Sequence, residues 1–189
     1  MDKSKRYGMC LYRKEKKDAL VLKELLQFLR TKFPGRTSSF AYVEAGSSLL
    51  PGLSLWENLK LETGGSDWSD FRRDLKSEWT PLVNLLKRPE IFVNEAQDWE
   101  KFTISLLKGV LGPSRHILID MNEDILSPFM IQVMKKACCL AAGEDKHITL
   151  ASASSGLWLD CAHSMVSRKG YEFITEELNE EILKLHWTA

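Results

Sequence analysis

Four short apolar runs constrain this chain most: Tyr7-Gly8-Met9-Cys10-Leu11, Phe40-Ala41-Tyr42-Val43, His116-Ile117-Leu118-Ile119 and His147-Ile148-Thr149-Leu150-Ala151. Each is too short for a buried helix, and none alternates cleanly between apolar and polar. That is the pattern of a strand covered on both faces. Longer helical patterns separate the runs. Strands that alternate with helices pair in parallel, because each crossover carries the chain back to its starting edge. The spacing therefore predicts an α/β fold in three layers, a parallel sheet between helices. A length of 189 residues suits one core of this kind with a small inserted lobe.

The helical patterns carry their own punctuation. Leu20 to Leu29 follows the first strand with an amphipathic pattern. Ser127 before Pro128 predicts an N-cap and a proline at the first helical position, with an apolar face of Phe129, Ile131, Val133, Met134, Ala137 and Cys138 that Gly143 ends. Two more helices are expected, one from Ser154-Ser155 to about Met165 and one from about Glu176 to Trp187. Residues 55–105 differ from the rest, being poor in strand signals and rich in tryptophan, and they read as a helical lobe inserted in the α/β core. Gly64-Gly65 marks a loop before a helix capped by Ser66 or Asp67. Trp56, Trp68, Trp79 and Trp99 give this lobe a candidate interaction surface, the alternative being that they fill its own small core.

Composition excludes several classes. The 26 Lys and Arg residues balance 26 Asp and Glu, which argues against a dominant footprint for nucleic acid or an anionic membrane, although the segment from Lys3 to Lys17 is locally basic. No apolar run approaches the roughly 18 residues of a membrane-spanning helix, and no secretory apolar region follows the charged N-terminus. A cytoplasmic location is expected. The four cysteines, Cys10, Cys138, Cys139 and Cys161, match neither zinc-site nor disulfide-framework spacing and read mostly as small core hydrophobes.

The junction between the first strand and first helix is where such a fold would cradle phosphate, with the spacing GxxxxGK[ST]. Here Tyr12 and Lys17 stand at the two glycines, Asp18 at the lysine and Ala19 at the hydroxyl that would hold magnesium. A phosphate nest needs inward backbone N–H groups and glycine dihedrals, and an aspartate in place of lysine turns attraction into repulsion. Lys14, Lys16 and Lys17 offer only loose point charges. The bland reading is a solvated basic turn before an amphipathic helix.

The order of parts over about residues 7–175 resembles the nucleotide-binding domain of ATP-binding-cassette (ABC) transporters, hence a P-loop-NTPase-like sheet. The strongest segment is Phe40 to Leu59, where a strand ends and Pro51-Gly52-Leu53-Ser54-Leu55-Trp56-Glu57-Asn58-Leu59 leads into the lobe. The resemblance puts Ala45 at the family's glutamine, Asp120 at its Walker B aspartate, Met121 at its catalytic glutamate and Ala153 at its switch histidine. It puts Ala96-Gln97-Asp98-Trp99-Glu100-Lys101 at the signature, and Cys161 to Tyr171 at the terminal strand and turn. Because the likeness starts at residue 7, the family's N-terminal β-subdomain and its adenine-stacking aromatic are expected to be missing. A thioether at Met121 cannot accept a proton from attacking water.

These substitutions imply a domain without nucleotide hydrolysis, without cofactor or catalytic metal. It would act as a scaffold or regulatory subunit on a protein partner: itself, an active ABC ATPase or a membrane permease. No nucleic acid and no direct membrane insertion are expected, and contact with a membrane would run through the partner. The alternatives are a subunit with residual ATP binding, or a small enzyme using the crevice above the sheet, with Ser152, Ser154 or Cys161 as nucleophile and His163 or His147 as base. Ser-Ala-Ser-Ser lacks the flanking glycines of a nucleophile elbow.

Overall fold

A computed structural model describes residues 8–14, 19–32, 40–46, 48–65, 67–144, 146–169 and 172–178. Six strands form one sheet: β1 (Met9–Arg13), β2 (Phe40–Val43), β3 (His116–Asp120), β4 (His147–Ser152), β5 (Ser164–Lys169) and β6 (Glu172–Glu177), in the order β2-β3-β4-β1-β5-β6. The first five run parallel, and β6 returns antiparallel beside β5. The central strands are apolar on both faces because helices cover both: Met9, Leu11, Ile117, Ile119, Ile148 and Leu150 face one core, and Tyr12, Leu118, Ala151 and Val166 the other.

The first helix, α1 (Ala19–Lys32), closes the second core with Val21, Leu22, Leu25 and Leu29. Between β2 and β3 the chain forms α2 (Leu55–Thr63), α3 (Trp68–Asp74), α4 (Thr80–Val83) and α5 (Asp98–Leu111). After β3 comes α6 (Pro128–Gly143), with the Ser127 hydroxyl accepting from Met130 N at 3.3 Å, as its sequence dictates. Its face differs in one place: Phe129 is 69% exposed, because position two of the helix points off the core stripe that Ile131, Val133, Met134, Ala137 and Cys138 bury.

Three expectations are corrected. The first strand runs two residues further than its apolar pattern, to Arg13, so Tyr12 is an interior strand residue packed edge-on to Phe173 at 6.0 Å. After Ser154 there is only a single 3-10 turn, Ser155–Leu157, and then β5, because Trp158 and Leu159 are buried and Met165 and Val166 extend beside β1. The terminal-strand resemblance is the better guide there. Glu176 and Glu177 belong to β6, since they pair with Met165 and Ser164; the rest of the expected last helix beyond Leu178 lies outside the described residues.

Two tryptophans of the helical stretch are interior and two are partly buried at its edge. Trp56 and Trp79 are 4% and 2% exposed, and Trp68 and Trp99 pack against the same cluster. Trp56, Trp68 and Phe71 form an aromatic group with centroids 5.2–5.6 Å apart. A small helical stretch has few other ways to bury apolar area, and an indole hides more of it than any other side chain. The core-filling alternative therefore holds for Trp56 and Trp79, and neither belongs to an exposed surface. The apolar side chains actually exposed there are Leu50, Leu61 and Phe92.

The turn after Pro51 explains why Ser54-Leu55-Trp56-Glu57-Asn58 is so distinctive. Ser54 caps α2 by accepting from Glu57 N at 3.1 Å, and Glu57 Oε2 accepts from Ser54 N at 2.7 Å. Asn58, fully buried, accepts from Leu50 N at 2.7 Å and donates to the carbonyls of Leu50 and Ser54. One amide thereby fixes the connection from β2 into α2. On the sheet side, α5 approaches β2 and β3 through Gly109, where a Cβ would lie 2.9 Å from Val43 Cγ2 and 3.4 Å from Ile117 Cγ2. Gly109→Val is expected to destabilise the protein by about 1–3 kcal/mol despite its gain over glycine in helix propensity. Urea unfolding checks this, with a lower midpoint at unchanged slope.

Candidate functional site

Parallel strands end together, and their carboxyl edge is where open α/β sheets place ligands. In this sheet, Val43 pairs with Ile119, Asp120 with Ala151 and Arg13 with Ser152. That register brings the next residues, Lys14, Glu44, Met121 and Ala153, to the same edge. They line a crevice of about 560 Å³ together with Ala45, Asp120, Asn122, Glu123, Asp124 and Ser154.

Asp120 is the centre of the site. Its Oδ1 receives the Lys14 ammonium in an ion pair, with both side chains about four-fifths buried. The Tyr42 hydroxyl lies 3.3 Å from the other oxygen and 3.2 Å from Glu44 Oε2, so its one proton is shared between two carboxylates. Burial first, and then the charges of Asp120 and Glu44, push the Tyr42 phenol far above the usual tyrosine range. Glu123 is bound separately: it takes the Ser152 hydroxyl, and Trp158 Nε1 donates to it at 3.2 Å. Ser152 in turn accepts from Ser154 N at 3.0 Å. Trp158 is fully buried, so Glu123 is tethered to the core rather than left to swing.

Three of the carboxylates thus fall into two hydrogen-bonded groups, Asp120 with Glu44 and Glu123 by itself. Glu44, Asp120, Glu123 and Asp124 set four formal negative charges against Lys14. A phosphate brought within 4 Å of any one of them meets a repulsion of about 4 kcal/mol per charge pair near a protein surface. Both Asp120 oxygens are engaged, and among the described residues no group of three His, Cys, Asp or Glu side chains comes together.

The positions assigned from the sequence fall partly at this site. Ala45, Asp120, Met121 and Ala153 all reach the crevice, Ala45 and Ala153 exposed on its rim. Met121 is buried, its N–H bonded to Ala151 O at 2.9 Å. Tyr12 is in the sheet instead of the phosphate turn; Lys17 and Asp18 lie outside the described residues, and Ala19 opens α1. The segment compared with the signature starts α5: Glu100, 1% exposed, accepts from Gln97 N and from Arg88, both at 3.0 Å, and Trp99 sits at the core edge. The candidate nucleophiles and bases do not meet. His147 and Ser152 are at opposite ends of β4, about 17 Å apart at the usual rise per residue. His163 Nε2 is 3.4 Å from Ser164 Oγ, while the Cys161 thiol donates to Asp160 Oδ1 at 3.4 Å.

Sequence reading missed Tyr42, Glu44, Glu123 and Trp158. A signal existed for one of them: Glu44 follows its strand directly, as Asp120 ends its own, so it had to lie on the same carboxyl edge. Nothing in the sequence ties Glu123 to Trp158, because that contact spans 35 residues.

Comparison with solved structures agrees with this geometry. The chain superposes on a structure described as the ATP-binding subunit of an ABC transporter with a TM-score of 0.69 over 95% of this chain and 82% of that one, at 15% identity. This chain has the ABC ATP-binding fold. A chain from an inward-facing metal-chelate type ABC transporter gives a TM-score of 0.62 over 96% of this chain and 79% of that one, at 14% identity. No protein-family model matches the sequence, and no curated protein matches it. Identities this low carry the fold alone, so the chemistry of the cassette-like crevice rests on its own residues.

Tyr42 gives this site a pH signature. Its phenol keeps its proton in the folded state but loses it near pH 10 when unfolded, so the folded form binds more protons above that pH and stability falls as pH rises. Tyr42→Phe is expected to flatten the alkaline side of the stability profile, measured by urea midpoints from pH 8 to about pH 11. Equal alkaline slopes in the two proteins would show that Tyr42 is not held protonated by its carboxylate neighbours.

Proposed function

We propose that this chain is a cassette-type domain that has lost nucleotide hydrolysis and acts through protein contact, as a scaffold or regulatory subunit. The reading takes residues 1–189 as one domain, with a helical lobe over about 55–105 inserted in the α/β core. The observation that carries it is the Lys14–Asp120 ion pair at the carboxyl edge of the sheet. An internal ammonium stands against the carboxylate that, by the resemblance, would face magnesium, and three further carboxylates line the same crevice.

The remaining residues support the same reading. Met121 offers no base, and Ala45 and Ala153 offer the crevice no ligand or proton carrier. Asp18 would oppose a phosphate at the turn before α1. What persists is the apparatus that shapes the chain: the parallel register, the Ser54-Glu57 cap and the buried Asn58. Protein contact would use Leu61 and Phe92, exposed apolar side chains of the helical lobe, and Leu50 just before it, in place of the buried Trp56 and Trp79. The partner would be a second copy, an active ABC ATPase or a permease, and the domain would be cytoplasmic and reach a membrane only through it. No helix among the described residues is long and apolar enough to cross one.

Calorimetric titration with magnesium and ATP tests the first half of the proposal: no heat of binding is expected at submillimolar nucleotide, and phosphate release should equal that of buffer. Micromolar binding together with turnover abolished by Asp120→Ala would defeat it. The second half is tested by Leu61→Ser with Phe92→Ser. The double variant should keep the wild-type unfolding free energy in urea to within about 0.5 kcal/mol, as exposed sites do, and lose self-association in sedimentation or co-purification with the cassette ATPase or permease. Retention of every such contact would place the interface elsewhere.

A further inference from the structure

The amino edge of the sheet carries a stack of flat groups. Phe40, His116 and His147 are the first residues of β2, β3 and β4, and the register pairs Phe40 with His116 and His116 with His147. Side chains at paired positions of neighbouring strands project from the same face of a sheet. The Phe40 and His116 rings accordingly stack with centroids 4.8 Å apart and planes 21° apart, and the two imidazoles stack at 5.0 Å and 12°. The Arg30 guanidinium of α1 lies over the Phe40 ring, 5.8 Å from its centroid. On the far side of His147, β1 presents Gly8, where a Cβ would lie 2.9 Å from His147 Nδ1.

Uncharged imidazoles suit this stack and charged ones do not. One proton on the pair sets a cation against a neutral aromatic ring, which the rings tolerate. Two protons set like charges against each other at 5.0 Å, and the Phe40 ring beside them already carries the Arg30 cation. The neighbouring chain adds more positive charge. Arg115 precedes His116, and its carbonyl accepts from His147 N at 2.7 Å. Lys146 precedes His147, and its ammonium donates to the carbonyls of Gly112 and Ser114. Among the described residues, the acids acting on this edge are Glu144, on Lys146, and Glu177, on His163 across β1. Burial first, and then the charges of His147 and Arg115, hold the His116 imidazole below its usual 6.5. His147 is exposed, so solvent protons reach the pair directly.

We propose that the stacked His116 and His147 form a proton-responsive clasp, which holds β2 to the sheet while both rings are uncharged and lets β2 part from β3 when mild acid charges both. The strand that yields is β2 because it is four residues long, lies at the sheet edge and pairs with β3 alone, whereas β3 and β4 have partners on both sides. Once parted from its stack, His116 regains its ordinary proton affinity, so the open form binds a proton that the closed form refuses. The clasp therefore contributes its full stability above about pH 6.5 and loses it as pH falls below that value. The residues lining the crevice at the opposite edge include no histidine, so the acid response belongs to the amino edge. This inference is independent of the nucleotide reading.

Amide hydrogen exchange of the full chain at about pH 7.5 and about pH 5.5, corrected for the pH dependence of intrinsic exchange, tests the clasp above the range where ordinary carboxylates titrate. Protection of the β2 amides bonded to β3, and of the His147 amide, should drop severalfold in acid. The Met121 amide, bonded to Ala151 O at the opposite edge, should keep its protection. His116→Phe and His147→Phe each keep a ring in the stack without its proton site, and either should remove most of the acid loss. His163→Gln should leave that loss in place. Equal protection of β2 at the two pH values, an equal loss at Met121, a loss undiminished in both phenylalanine variants, or a loss abolished by His163→Gln would overturn the proposal. The comparison of β2 with Met121 is made on the wild-type chain, so it decides even if a variant fails to fold.

Discussion

Strand register is the constraint from which the site follows. A parallel sheet fixes which residues end level with one another, and here β1, β2, β3 and β4 stop with Arg13, Val43, Asp120 and Ser152 along one edge. The residues just past those ends are then neighbours whatever their separation in the chain. Lys14 meets Asp120 across 106 positions for that reason, and Tyr42 reaches the same carboxylate from β2. A slip of one residue in β3 would turn Asp120 toward the other face and dissolve the arrangement.

Two hydrogen-bonded carboxylate groups give the crevice its character. In one, Asp120 is satisfied by an ammonium and a phenol; in the other, Glu123 is satisfied by Ser152 and the indole of a fully buried tryptophan. Asp120 and Glu123 thus find their hydrogen-bonding partners inside the protein. The crevice is therefore an ordered part of the fold rather than a set of loose side chains.

Much of the architecture could be read from residue pattern. The positions of β2, β3 and β4, the parallel sheet and the Ser127-Pro128 start of α6 follow from local chemistry that the sequence displays. The misreadings share one cause. Tyr12, Met165 and Glu176 each carry side chains compatible with more than one state, and pairing with a distant strand decided between them. The tryptophans show the same limit in another form. An indole is suited both to a contact surface and to a small core, and only the closing of Trp56 on Trp68 and Phe71 selects the core.

The chain by itself determined where β2, β3, β4 and the start of α6 lie and which side chains stand near the strand ends, because periodicity, caps and residue identity act over a few positions. Tertiary structure alone decided that Lys14 would neutralise Asp120 and that Glu123 would hang from Trp158. Those are meetings across 35 and 106 residues, and their energies depend on burial and distance, which exist only once the sheet has closed.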